Sequence, residues 1–345
     1  ITPTLKTLLL LILLMCPQTP TTAQPTQPTP PTTRPLRQQQ LNFTVPTRRR
    51  VTPNNKLPNN YWGDFLGPKN KDHLRIYLQN PNRISACDDF VDFKYLCQSL
   101  SSHDVDIFGL SETGLDWKQH GPRTKCRQIM DDFWQHSRLI TSTSNVASDS
   151  FTQYGGTCTG VTGKWSGRIR EQGMDTHGLG RWSHVQIFGK NGREVLIVTA
   201  YQACKASIST IGSKTAYAQQ WHLLRQAGDP TPNPRKRFIA DLDEFLAPHH
   251  ARGTEILLMG DFNETLGDSL QGLDSIINKY GLLDLLPYHH GIDNEVETYA
   301  RGKKRLDYAL GTQELAESII RIGITPYNFV ITSDHRGTFI DFDID

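Results

Sequence analysis

The chain has 345 residues, with 37 Lys and Arg against 35 Asp and Glu, and 37% apolar side chains, to which 27 glycines add a further share. That composition excludes a wholly disordered, collagenous or multi-span membrane chain. The length suits one large domain or two small ones with a real core. The near-neutral balance hides an asymmetry: residues 1–63 carry seven basic side chains and no acid, leaving 30 basic against 35 acidic in the rest. The six cysteines lie at least ten residues apart, so no Cys-x-x-Cys zinc or redox spacing exists, and at most one or two disulfides are expected.

Taken in chain order, the first feature is an apolar run from Leu8 to Met15 behind Lys6, with Thr21-Thr22-Ala23 downstream. It has the outline of a signal peptide and is too short to span a bilayer, so no stable membrane insertion is expected. Eleven of the 20 prolines fall in the first 58 residues, interleaved with Thr and Gln. Such a stretch buries too little apolar area to offset ordering entropy, and residues 1–70 read as a disordered leader ahead of a domain over 71–345. Arg48-Arg49-Arg50 reads as a nucleic-acid tether, a nuclear-import signal or a plain solvated linker. Secretion follows if the apolar run is a signal peptide. Against that route, Asn263-Glu264-Thr265 is a glycosylation acceptor inside the candidate site described below.

From Leu74 the pattern becomes short apolar strands separated by helical stretches. Strands are expected at Leu74–Gln79, Val105–Leu110, Gly155–Val161, Ser183–Phe188, Glu194–Tyr201, Glu255–Met259, Arg305–Leu310, Phe329–Thr332 and Thr338–Phe342. Asn191-Gly192 marks a hairpin turn. Phe90, Phe93, Leu96, Cys97 and Leu100 recur at helical spacing. Further helices are expected over Lys118–Arg138, Thr215–Arg225, Arg235–Phe245 and near Leu270–Tyr280, with the breaker Asp229-Pro230-Thr231-Pro232-Asn233-Pro234 dividing Thr215–Arg225 from Arg235–Phe245. Strands with interspersed helices and some tight hairpins argue for mixed sheets in an α/β layered domain.

The chemistry is expected where these strands end. Ile107 to Ser111 runs straight into Glu112, and Ile256 to Gly260 into Asp261-Phe262-Asn263, where a two-residue period would put Asp261 and Asn263 on one face. Asp307 lies inside a third strand and Ser333-Asp334-His335 forms another such point. Gathered carboxylates repel one another unless a cation sits among them, and oxygen ligands suit a hard divalent ion such as Mg²⁺. With a histidine beside an aspartate and no Ser or Cys nucleophile motif, this points to metal-assisted attack of water on a phosphodiester. The other eleven histidines, His249-His250 and His289-His290 among them, read as surface residues.

The series Gln79-Asn80, Ser111-Glu112-Thr113, Ala200-Tyr201, Gly260-Asp261-Phe262-Asn263, Arg305-Leu306-Asp307-Tyr308 and Ser333-Asp334-His335 resembles the endonuclease/exonuclease/phosphatase superfamily over residues 71–345. The resemblance implies a four-layered α/β sandwich of two mixed β-sheets flanked by helices. It implies Glu112, Asn80 and Asp334 at a Mg²⁺ site, which Mn²⁺ could also fill. Asp261 would act on the attacking water, Asn263 and Tyr201 would bind the scissile phosphate, and His335, held by Asp307, would stabilise the developing charge. A Tyr at position 201 is similar to abasic-site and non-LTR retrotransposon endonucleases, whereas secreted deoxyribonucleases, sphingomyelinases and inositol phosphatases carry His in that strand. The implied activity is Mg²⁺-dependent nicking of DNA, with nuclear action for a retroelement product. The alternatives are another phosphoesterase of the superfamily and an inactive nucleic-acid-binding remnant. Basic candidates for a DNA rim are Lys164, Arg168 and Arg170 with Trp165 among them, Arg235-Lys236-Arg237, and Arg301 with Lys303, Lys304 and Arg305.

Overall fold

The computed structural model describes residues 63–189, 192–206, 214–291, 296–302 and 304–343. Two six-stranded sheets form the centre. The strands are β1 Leu74–Gln79, β2 Ile107–Ser111, β3 Arg138–Ser142, β4 Thr157–Val161, β5 Ile169–Met174, β6 Trp182–Phe188, β7 Glu194–Tyr201, β8 Glu255–Asp261, β9 Leu283–Asp284, β10 Asp307–Gly311, β11 Ile319–Ile324 and β12 Thr338–Phe342. One sheet has the order β11-β12-β1-β2-β4-β3 and the other β5-β6-β7-β8-β10-β9. Each is mixed in the same way: its middle pair, β1 with β2 and β7 with β8, is parallel, and every other pairing is antiparallel. Parallel neighbours need a crossover, which helices provide. The first runs through α1 (Val91–Ser102), and the second through α3 (Ala216–Gln226) and α4 (Pro234–Ala251).

Burial sorts the chain into four layers. Between the sheets lie Ile76, Leu78, Ile107, Val185, Ile197, Leu257, Met259 and Ile340. The opposite face of the first sheet, Tyr77, Phe108, Leu110 and Phe339, packs on α1 and on α2 (His120–Phe133). The opposite face of the second, Leu196, Val198, Leu258 and Leu310, packs on α4 and on α5 (Leu273–Tyr280). Short helices α6 (Leu285–His290) and α7 (Gln313–Glu317) add Leu285, Leu286, Leu315 and Ala316 to the core between the sheets. This is the expected four-layered α/β sandwich.

The helix starts follow from local chemistry. Thr215 caps α3 by accepting Ala218 N–H at 3.1 Å, and Asn233 caps α4 by accepting Lys236 N–H at 3.1 Å, with Pro234 in the first turn. The sheets also approach closely at one glycine. A Cβ on Gly109 of β2 would sit 2.5 Å from Thr199 Oγ1 and 2.7 Å from Met259 Cε of the facing sheet.

Several expectations need correction. Helix α2 is shorter than Lys118–Arg138, because the chain turns extended at Trp134 and Arg138 already opens β3. Phe329–Thr332 forms no strand; Val330 and Ile331 are buried against the α1 side of the first sheet without a ladder partner. The folded part also begins before residue 71: Asp64 N–H donates to Ile324 O at 2.7 Å, and Leu66 joins the core. Residues 1–62, the Asn191 half of the Asn191-Gly192 turn, and Lys303 lie outside the described residues. No described helix is long and apolar enough to cross a membrane.

Candidate active site

The two central parallel pairs end at the same place. Past Gln79 of β1 comes Asn80, past Ser111 of β2 comes Glu112, and β7 and β8 end side by side in Tyr201 and Asp261, which are in register. Carboxyl ends of parallel strands are where open α/β sheets form ligand crevices. The antiparallel neighbours deliver their residues to the same end: Asp307, the first residue of β10, pairs with Asp261, and His335 lies just ahead of β12. Ser111 joins the sheets here, its Oγ donating to Ala200 O at 2.8 Å and accepting from Asp261 N–H at 3.3 Å.

Asn80 bridges the carboxylates. Its Nδ2 donates to Asp261 Oδ2 at 2.8 Å and to Glu112 Oε2 at 3.2 Å, while its Oδ1 accepts Asn82 N–H at 2.7 Å. Asn80 is therefore placed as an amide donor, with its oxygen turned away from the carboxylates. Asn263 reaches the site by a left-handed turn (φ 47°) rather than by strand alternation, and its Nδ2 donates to Asp261 Oδ2 at 3.1 Å and to Gln202 O at 3.0 Å. Glu112 is also left-handed, at φ 50°. Non-glycine residues held there carry strain, which clusters at functional sites. Tyr201 is buried and its hydroxyl bonds Glu112; burial and the nearby Glu112 and Asp261 hold its proton in place.

His335 Nδ1 lies 2.9 Å from Asp307 Oδ2, leaving Nε2 facing Asn80 at 3.5 Å. Burial alone would lower its pKa, but Asp307, Asp261 and Asp334 outweigh that and push it up to about 9. The surrounding carboxylates thus favour the charged form of the ring. Asp261 is raised as well: burial first, then Asp307, pushes it up to about 7, against the pull of His335, Asn263 N–H and Asn80. Glu112 is likewise raised, chiefly by burial. Ligand atoms of Asp261, Asp307 and His335 lie within 4.8 Å of one another. The trio is compact enough to hold a cation or to work as an acid–base array, and Glu112, bridged to Asp261 by Asn80, adds a further carboxylate. Glu112 and Asp334 flank the Asn80-Pro81-Asn82 turn, with Asn82 Nδ2 donating to Asp334 Oδ1 at 3.0 Å. Their oxygen donors fit a hard divalent ion.

The profile of the endonuclease/exonuclease/phosphatase family matches residues 77–335, most of the chain and every residue just described. The chain belongs to this family. No curated protein matches it in sequence. Solved structures do match in fold. A 3′ phosphatase, NExo, from Neisseria, bound to product DNA hairpin, shares 16% identity at TM-score 0.54, covering 78% of this chain and 99% of its own. An AP endonuclease from Archaeoglobus fulgidus shares 15% at TM-score 0.54, covering 79% and 100%. AP endonuclease LMAP from Leishmania major shares 12% at TM-score 0.57, covering 86% and 92%. At such identities the likeness is one of fold.

Within this endonuclease/exonuclease/phosphatase domain the basic candidates divide. Lys164 and Arg168 follow the far end of β4, whose Val161 pairs with Ile107 at the start of β2 and with Arg138 of β3, while its Thr157 pairs with Ser111 beside the site. The five residues of β2 put them roughly 15 Å or more from Glu112, at the wrong end of the sheet. There Lys164 donates to Lys71 O at 2.9 Å and the Arg168 guanidinium stacks on Trp165 at 4.5 Å. Arg305 is mostly buried, paired with Asp284 and stacked on Tyr308 at 4.5 Å, so it supports β10 rather than facing substrate. Arg301 does reach the site, exposed, with Nε 3.6 Å from Asp334 Oδ2. Arg235 and Lys236 line a cleft of about 620 Å³ with Asn263, together with Lys205, which the sequence did not single out.

Thr298 escaped sequence reasoning, and Ser333 and Gln79 stood in their motifs without an assigned role. Thr298 Oγ1 accepts Leu306 N–H at 3.0 Å and Asp307 N–H at 3.2 Å, fixing the start of β10. Ser333 Oγ donates to Asn80 O at 2.6 Å and accepts His335 N–H at 3.0 Å. Gln79 Nε2 donates to His335 O at 3.0 Å.

Proposed function

We propose that this chain is a divalent-cation-dependent phosphodiesterase that nicks DNA within a strand, with Mg²⁺ as the working ion. The observation that carries this reading is the Asp307–His335 pair standing against Asp261, at the joint end of both sheets. Asp261, held near neutrality in its proton affinity, is suited to take a proton from an attacking water. Asn263 and Asn80 hold its carboxylate in one orientation through their amides. His335, charged and anchored through Nδ1, presents Nε2–H to a phosphoryl oxygen and stabilises the negative charge gathering there. Tyr201 and Asn263 frame the same space as donors. A hard cation at Glu112 and Asp334 would supply Lewis-acid polarisation of the phosphoryl oxygen and charge neutralisation.

Polynucleotide substrate is supported by Arg301 on one side of the site and Arg235, Lys236 and Lys205 on the other, so chain can leave it in both directions. The Tyr at the end of β7 favours the abasic-site and retroelement kinds of endonuclease, and the low-complexity leader favours the retroelement kind of the two.

The test is plasmid relaxation. The full chain should convert supercoiled plasmid to open circle with Mg²⁺, and lose this with EDTA. Asp261→Ala or His335→Ala should each lower the rate by on the order of a thousand-fold or more. Nicking that survives either substitution removes the assigned roles.

A further inference from the structure

Arg181 stands just ahead of β6, in the loop that joins it to β5, and its guanidinium is fully buried between two carboxylates. Nε donates to Asp175 Oδ2 at 2.7 Å and Nη2 to Asp175 Oδ1 at 2.9 Å, while Nη2 also lies 2.8 Å from Asp241 Oδ2 of α4. Asp175 and Asp241 are buried as well. Asp175 closes the loop on itself: Oδ1 accepts His177 N–H at 3.0 Å, and its own N–H donates to Trp182 O at 2.9 Å. Arg237, one helical turn before Asp241, adds a second guanidinium to that carboxylate at 2.7 Å, so two cations face two anions. What this network holds in place is a backbone oxygen. Arg181 O accepts Tyr201 N–H at 2.7 Å, where β7 reaches the site, and the next residue, Trp182, pairs with Ala200. A buried ion network stabilises a fold no better than apolar side chains of the same volume, but its forked bonds are directional. Its contribution here is orientation.

We infer that Arg181 is a positioning residue: the Asp175–Arg181–Asp241 network fixes the Arg181 carbonyl, which fixes the main chain of Tyr201 and with it the aim of the Tyr201 hydroxyl. That hydroxyl bonds Glu112, which arrives from the other sheet. The link from Tyr201 to the scissile phosphate rests on the nuclease reading; the link from Arg181 to Tyr201 does not. Asp241, on α4, acts on the site through Arg181 without touching substrate. Lysine at position 181 would keep the charge but offers no planar fork, so it could not hold both carboxylates in the same geometry.

Two measurements on the full chain test this. With tyrosine-selective ¹⁵N labelling, Arg181→Lys should speed amide hydrogen exchange at Tyr201 by about ten-fold or more, while Tyr77 of β1 and Tyr308 of β10 keep wild-type rates. In plasmid nicking with Mg²⁺, Arg181→Lys should lower kcat by on the order of ten- to a hundred-fold with KM little changed. Added to Tyr201→Phe, it should lower kcat by no more than about two-fold further, because the hydroxyl it aims is gone. Asp241→Asn, which leaves the loop itself intact, should move Tyr201 exchange and kcat in the same direction by smaller factors. Unchanged exchange at Tyr201, or an equal loss of kcat with and without the Tyr201 hydroxyl, overturns the inference and leaves the nuclease reading intact. Faster exchange at all three tyrosines marks a purely stabilising role and overturns it as well. Faster exchange confined to Tyr201, in a chain whose wild type cuts no DNA, overturns the nuclease reading and leaves the positioning of Tyr201 standing.

Discussion

Each acidic group at the site is set by burial and by several neighbours. Asp307 supplies the charge that favours the protonated form of His335 despite burial, and its backbone N–H is held by Thr298. Asp307→Asn keeps the shape and removes the charge. It should lower kcat by about a hundred-fold or more with KM little changed, as steady-state kinetics on a nicking substrate would show. Thr298→Val leaves two N–H groups without their acceptor, and should cost about 1–3 kcal/mol in urea unfolding. The carboxylates were readable in the sequence because each interrupts or ends an apolar run, as Glu112 and Asp261 do. Thr298 was not, nor were the roles of Ser333 and Gln79 within their motifs, since an ordinary hydroxyl or amide gains its role only from the backbone brought to it across the fold. The misplacement of Lys164 and Arg168 has a related cause: charge in a sequence does not say at which end of a sheet it will emerge.

At the scale of elements, the site depends on how closely two sheets stack. Gly109 lies two residues before Ser111, which ties the sheets at the site, and any side chain there meets Thr199 and Met259. Gly109→Val should destabilise the fold by about 1–3 kcal/mol, measurable as a lower urea midpoint, and should also impair nicking, because Glu112 and Asp261 arrive from opposite sheets. The strands that sequence periodicity found are interior ones: β1, β2, β4, β6, β7, β8, β10 and β12. Those it missed, β3, β5, β9 and β11, are the four outermost strands of the two sheets. An edge strand such as Ile169-Arg170-Glu171-Gln172-Gly173-Met174 is largely exposed and lacks an apolar run to announce it. The converse error, a strand at Phe329–Thr332, came from an apolar run that is buried as irregular chain.

For the whole molecule, two histidines read as surface residues turn out to be buried. His184 packs on Phe245 of α4 with ring centroids 4.7 Å apart, and burial, with a smaller contribution from His249, pushes it down to about 4. His249 is lowered in the same direction by burial and Arg252. A histidine depressed in the folded state stays neutral while the unfolded chain takes up a proton, so stability is full above about 6.5 and declines as pH falls toward 4. For His184 that decline is on the order of 3 kcal/mol. Urea unfolding at pH 7.5, 6 and 5 should show it, and His184→Gln should flatten the acid slope by about one proton. The return of β12 to lie between β11 and β1 has a different consequence. A product terminated after β10 would lack the imidazole and would also bare the whole hydrogen-bonding edge of β1, a strand buried along its entire length. Such a shortened chain should collect in the pellet by self-templating along that edge, so a premature stop late in the reading frame would yield no soluble competitor for the substrate.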